Sequence, residues 1–183
     1  MNYFIMKQDP RFDDQAKTSD CGGLDPLDLI DGKLIDDPGE VMVKLSPRSG
    51  DSRGDIMDGV STLFHDDFIE ILSELGIDNI QYFPVDIQVP DDTIEEGYSL
   101  ANIIGLLDAV DLDKSTIKPR AHGGIGTLYS FTIDKEKAKG LHIFRILHAP
   151  ALIIVSGWLK EHLLANEVEE VVMYHTEEYD GWS

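Results

Sequence analysis

The residues best equipped for chemistry stand in one short run, His65-Asp66-Asp67. An imidazole with two neighbouring carboxylates can ligate a divalent ion and so activate water for hydrolysis. The same run opens an apolar helical stripe, where Asp66 can cap the first turn and Asp67 meets the positive end of the helix dipole. Capping explains both acids, so no metal and no cofactor is expected. A metal-dependent hydrolase built on His65, Asp66 and Asp67 stands as the enzymatic alternative.

Other arrangements fall short of a site. Asp111-x-Asp113 starts like a calcium loop, but Ser115-Thr116 lacks the glycine and His122 stands where the closing carboxylate belongs. Gly123-Gly124-x-Gly126 precedes a strand pattern, so it offers a phosphate no helix N-terminus. There is no Gly-x-Ser-x-Gly elbow, and Cys21 has no local nucleophile signature. Asp134-Lys135-Glu136-Lys137 reads as a charged turn rather than a nuclease cluster. Arg145, inside LHIFRIL, is expected on an outer face, paired with one of many acids.

Charge is the strongest compositional signal. The 183 residues carry 35 Asp and Glu against 15 Lys and Arg, a net charge of −20. No Lys or Arg occurs between Arg53 and Lys114, where 15 acids fall, nor after Lys160, where seven do. Such a field repels nucleic acid and anionic membrane and steers cationic partners inward. The expected partner therefore has a cationic surface, with no nucleic acid and no membrane. The acids of the 90–97 loop, Asp91, Asp92, Glu95 and Glu96, are the candidate contacts, with Tyr98 and Trp182 as candidate anchors.

The chain is long enough to bury a sizeable core as a single domain, 1–183. Its longest apolar runs fall far short of the ~20 residues that a bilayer requires. MNYFIMKQDP lacks the parts of a signal peptide, and one cysteine excludes an internal disulfide. A cytoplasmic protein is expected; oligomeric state stays open.

The elements that must position these residues are short. Residues 2–8 read as a strand, and 9–40 as a long polar loop pinned by Leu24, Leu27, Leu29, Ile30, Leu34 and Ile35. Val41, Val43 and Leu45 alternate inward. Phe68, Ile71, Leu72 and Leu75 form one helical stripe, closed by Gly76. A strand from Ile80 continues towards Val89, with Pro84 demoting it to an edge or to two pieces. Residues 98–112 suit helix or two buried strands; strands are the reading taken. Lys114–Gly126 reads as a basic loop, 127–133 and 141–147 as strands, and the tail EEYDGWS as exposed. The whole is α+β, mainly antiparallel sheet with a few helices.

Two stretches look alike. Residues 62–85 and 153–176 align without a gap, Phe68 falling on Leu159, Glu70 on Glu161, Leu72 on Leu163 and Ile77 on Val168. Each has an apolar run, a polar cap (Ser156 in the second), a helix of about three turns, an acidic turn and a strand. Two similar helix–strand halves are the expectation.

The segments FIEILSELGIDNIQYFPV, NIIGLLDAVDLDKST, LHIFRIL and LIIVSGWLKEHLLANEVEEVVMY, in this order and spacing, resemble the immunity proteins of bacterial polymorphic toxin systems, over roughly 40–175. The resemblance implies an α+β fold and a non-enzymatic role, binding and neutralising a cognate protein toxin by occlusion. It carries over no catalytic or ligand residues. An adaptor or scaffold protein is the remaining alternative.

Overall fold

The computed structural model describes residues 2–119, 121 and 125–181. In chain order the strands and helices are β1 Tyr3–Gln8, β2 Val41–Lys44, β3 Ile56–Met57, β4 Leu63–His65, α1 Asp66–Glu74, β5 Ile80–Gln88, β6 Ile94–Ile103, β7 Leu106–Leu107, β8 Val110–Asp111, β9 Thr116–Pro119, β10 Ile125–Tyr129, β11 Thr132–Ile133, β12 Ile143–Ile146, β13 Ala149–Ser156, α2 Gly157–Ala165 and β14 Val171–His175. Two five-stranded sheets dominate, ordered β2-β5-β6-β4-β3 and β14-β1-β13-β12-β7. Their pairs are antiparallel except β2/β5 and β7/β12. Two small hairpin-like pairs, β9/β10 and β8/β11, complete the strands. The α+β class, largely antiparallel, is as expected.

Strand alternation sorts the apolar residues into three cores. The central one takes Phe64, Ala101 and Ile103 from one sheet, Phe4, Met6, Ile153 and Val155 from the other, and Phe68, Leu72, Leu159 and Leu163 from the two helices. The opposite faces of the sheets are buried too. Val43, Leu63, Phe83, Val85, Ile87 and Leu100 pack beneath Ala16, Cys21 and Leu29 of the 9–40 segment. Ile5, Phe144, Ile146 and Ile154 pack beneath Leu107, Val110, Leu128, Phe131 and Ile133. The 9–40 segment is thus a strap, as expected, although Leu27 and Leu34 point to solvent. Thr18 stitches it down, its hydroxyl donating to Ser61 O at 2.7 Å and accepting from Ser61 N at 3.0 Å. Gly59 is required there: a Cβ would lie 2.2 Å from Thr18 O.

Residues 98–112 are strands, with Gly105 breaking them at φ 119°. Pro84 does not split β5. Pairing with β2 begins only at Val85, so at Pro84 the strand is flanked by β6 alone and the missing N–H costs no ladder bond. The 90–97 loop is shorter than expected, because β6 starts at Ile94 and leaves a tight turn. Thr116–Pro119 is a strand, not loop, while the Gly123-Gly124 turn lies outside the described residues. Ser130, at φ 25°, divides 127–133 into β10 and β11, and its N–H donates to Tyr179 O at 2.7 Å. The tail is therefore not free through Tyr179, whose ring meets Phe131 edge-on at 5.8 Å.

The caps are informative. Ser156 caps α2, accepting from Leu159 N at 3.2 Å, and its Oγ lies 2.7 Å from His142 Nδ1. Gly76 closes α1 at φ 74°, with Ile77 N donating to Leu72 O. At the start of α1 the expectation needs correcting: the cap is His65, whose Nδ1 accepts from Asp67 N at 3.2 Å, and Asp66 is the first helical residue. An imidazole nitrogen does the work expected of a carboxylate.

Arg145 also departs from expectation. It is 3% exposed and, among the described residues, pairs with no acid. Its Nη1 donates instead to Pro150 O and Ala151 O at 2.9 and 3.1 Å, tying β12 to the start of β13. Burial pulls its pKa down to about 10, against the opposing pull of Asp58. Lys160 reaches from α2 across the Phe4 ring, 3.8 Å from its centroid, to donate to Met173 O at 3.0 Å.

Both helices bury leucine completely in the central core. Leu163→Ala is expected to cost about 2–5 kcal/mol and Ser156→Ala about 0.5–2 kcal/mol in urea unfolding, with the m-value unchanged.

Candidate functional site

A hollow of about 670 Å³ opens where the turn after α2 meets the ends of β3, β4 and β6. Six carboxyl residues line it: Asp55, Asp67, Glu95, Glu96, Glu167 and Glu169. Arg53 is the one Lys or Arg among the lining residues. Its guanidinium grips Glu95 as a fork, Nε to Oε2 at 2.9 Å and Nη2 to Oε1 at 3.2 Å, while Nη1 donates to Asp51 O at 2.7 Å. The other five lining carboxyl residues have no Lys or Arg ion-pair partner among the described residues, and Asp67 Oδ2 lies 3.6 Å from His65 Nδ1.

Each wall has a local cause. A register shift in the β5/β6 pairing sets two residues, Glu96 and Gly97, opposite the single Asp86, with Gly97 at φ 93°. Such a bulge re-aims the flanking side chains, so that Glu96 reaches both this hollow and its neighbour. The far wall is the turn Asn166–Glu170, in which Glu167 and Glu170 both sit at φ 55°. Left-handed backbone at a glutamate carries strain, which the surroundings must over-determine. They do so here: Asp55 N donates to Glu169 O at 3.2 Å, Glu169 N to Asp55 Oδ2 at 2.6 Å, and Asp9 N to Glu170 O at 2.7 Å. The Glu170 carboxylate accepts from Ser52 Oγ and, at 3.5 Å, from Gln15 Nε2. At Gly54 a Cβ would lie 2.6 Å from Glu170 Cβ, so only glycine lets the two segments close.

Tyr98 forms the floor. Its side chain is buried, its hydroxyl donates to Gly54 O at 2.9 Å, and the His65 ring stands edge-on to it at 4.9 Å. A second hollow, about 420 Å³, shares Glu96 and Tyr98 and is lined by Glu40, Val41, Asp66, Pro84, Val85, Asp86, Gly97 and Ser99. Asp66 thus faces the second hollow and Asp67 the first. The two carboxylates of the His65-Asp66-Asp67 run diverge, and among the described residues no three His, Cys, Asp or Glu side chains stand together as metal ligands.

Of the contacts expected from sequence, Glu95 and Glu96 lie in the cleft. Asp91 and Asp92 lie apart, at the β5–β6 turn. Asp91 accepts from Thr93 N at 2.9 Å and from the Thr93 hydroxyl, which holds its carboxyl below the usual range. Asp92, at φ 67°, accepts from Gln88 Nε2 at 3.1 Å. Tyr98, expected as an anchor, is a buried floor instead, since the strand face it occupies is covered by the strap. Trp182 lies outside the described residues. Sequence reasoning missed Asp55, Asp67, Glu167 and Glu169 as cleft acids. The available signal was the base-free composition after Lys160 and between Arg53 and Lys114, which says which segments are acidic but not that their ends meet.

Burial pushes the Tyr98 phenol up to about 12. The fold holds that proton more tightly than the unfolded chain, so this stability is complete below pH about 10 and is lost as the pH rises through about 12. Tyr98→Phe removes the hydrogen bond to Gly54 O and is expected to cost about 0.5–1.5 kcal/mol near neutrality. The gap between the two proteins in denaturant titrations should shrink between pH about 10 and about 12.

No helix is long and apolar enough to cross a membrane among the described residues. A search of curated proteins finds no match. A model of an immunity protein family, Imm11, matches residues 12–178, starting well before the stretch near residue 40 where the likeness was expected to begin. The pattern therefore runs through the strap, both sheets, both helices and the acidic cleft between them: the chain belongs to the Imm11 immunity protein family.

Proposed function

We infer that the chain binds a cognate protein toxin and neutralises it by occlusion, with no chemistry of its own, in the cytoplasm. What carries the reading is the convergence of six carboxyl residues, from four separate stretches of chain, on one cleft containing a single arginine. Membership of an immunity family supplies the role; the cleft supplies the complementary partner, a cationic protein surface. Acids held this way favour a toxin whose working groove is itself cationic, and they disfavour nucleic acid or anionic lipid as partners.

Within one domain spanning 1–183, residues 62–85 and 153–176 are read as two versions of one strand–helix–strand unit. In support, α1 and α2 have nine residues each, start at the same offset from the aligned caps His65 and Ser156, and share one core. Glu95, Glu96, Glu167 and Glu169 are then the inner contacts, and Asp91 and Asp92 at the turn contribute mainly to steering. Trp182 remains an anchor candidate.

Exposed charges act mainly on the association rate and are screened within about 10 Å at 0.1 M salt. Stopped-flow association with an inactivated toxin from the adjacent reading frame is the test. Reversing Glu96, Glu167 and Glu169 to Lys should slow association at least tenfold at low salt and flatten its salt dependence. Reversing Asp91 and Asp92 should do less. A triple variant that folds and binds at an unchanged rate and salt slope would refute the reading.

A further inference from the structure

Among the described residues, the β2–β5 edge of the first sheet is exposed on one face, beside the bulged start of β6. Val41 and Val43 of β2, with Val85 and Ile87 of β5, turn towards the strap. Alternation then sends Met42, Pro84 and Asp86 to the other side, where Met42 pairs in register with Asp86. On that side the central core ends at Ile80 and Tyr82 of β5, and all three residues are exposed, Met42 by 46%. Beside this floor lies the 420 Å³ hollow, with Glu40, Asp66, Asp86 and Glu96 in its lining and no Lys or Arg. Lys44, one step further along β2, is the neighbouring cation on the same face.

An open sheet face with a thioether and a proline in it suits an apolar side chain, and four carboxylates around that floor suit cations flanking it. We propose that this corner docks a segment of the toxin that carries an apolar side chain between Lys or Arg residues, as a second contact continuous with the acidic cleft through Glu96 and Tyr98. The proposal rests on the toxin-binding reading above and adds the chemistry of the docked segment. The cleft selects charge alone, whereas this corner selects charge together with an apolar centre.

Two synthetic ten-residue peptides of equal charge test it, one alternating Lys with Leu and one alternating Lys with Ser, titrated into 15N-labelled full-length protein. The Lys–Leu peptide should shift the amides of Met42, Asp86 and Gly97 at a concentration at least fivefold lower than the Lys–Ser peptide requires. Met42→Ser, an exposed change that keeps the charge, should erase that difference. Equal affinities, shifts spread evenly over the acidic surface, or a difference that survives Met42→Ser would each overturn the proposal. Toxin association separates it from the reading beneath it. If the Glu96, Glu167 and Glu169 reversals slow association while Met42→Ser leaves both association and dissociation unchanged, the second contact fails alone. If the reversals also have no effect, the reading fails with it.

Discussion

Two sheets share one core, and each has an apolar second face that must be hidden. This constraint organises the rest of the molecule. A sheet apolar on both faces needs a layer on each side, as in proteins whose sheets lie between helices. Here the middle layer is supplied by two nine-residue helices, and the outer layers by irregular chain: the strap on one side, the β7–β11 region on the other. Two short helices cannot cover ten strands. The economical solution is to let loops carry apolar residues, which explains why a segment as polar as 9–40 is folded down through Ala16, Cys21 and Leu29.

With the faces occupied, polar groups are left to the ends of elements. The acidic cleft is built wholly from such ends: the residues preceding β3, the start of α1, the bulged start of β6 and the turn after α2. Bringing so many carboxylates together has an electrostatic cost, and three devices offset it. Arg53 neutralises Glu95 as a fork, the backbone N–H of Glu169 donates to Asp55, and the first turn of α1 presents its positive dipole end to Asp67. The strain at Glu167 and Glu170 belongs to the same pattern, since bonds to Asp55, Ser52, Gln15 and Asp9 hold that turn in place. A cleft assembled at such cost, in a chain of an immunity family, is the feature on which the proposed toxin contact rests.

Histidine serves structure more than chemistry. His65 caps α1 and stands against Tyr98, and His142 supports the Ser156 cap. Trp158 lies between His142 and His162, each ring 4.3 Å away. The His65-Asp66-Asp67 run shows why adjacency in sequence does not make a ligand set. Successive residues at a helix start fan out by about 100° each, so Asp66 and Asp67 end in different hollows.

Much was legible before folding, and the reason is periodicity. The stripe Phe68, Ile71, Leu72, Leu75 specifies a helix, the alternation of Val41, Val43 and Leu45 a strand, Gly76 a helix end and Ser156 a cap, because each depends on neighbours within one or two turns. Net charge and its segregation are likewise properties of the string itself. What the string does not encode locally is which ends meet. Whether Tyr98 is an anchor or a floor depends on a strap that starts nearly ninety residues earlier. Whether Pro84 breaks β5 depends on where β2 begins to pair, and whether Arg145 faces an acid or two carbonyls depends on the β12–β13 connection. The sequence by itself determined the elements, the class and the acidity; only the tertiary structure gathered those acids into a cleft. Charge is summed along a chain, but a field is shaped by distances, and the distances are set by long-range packing.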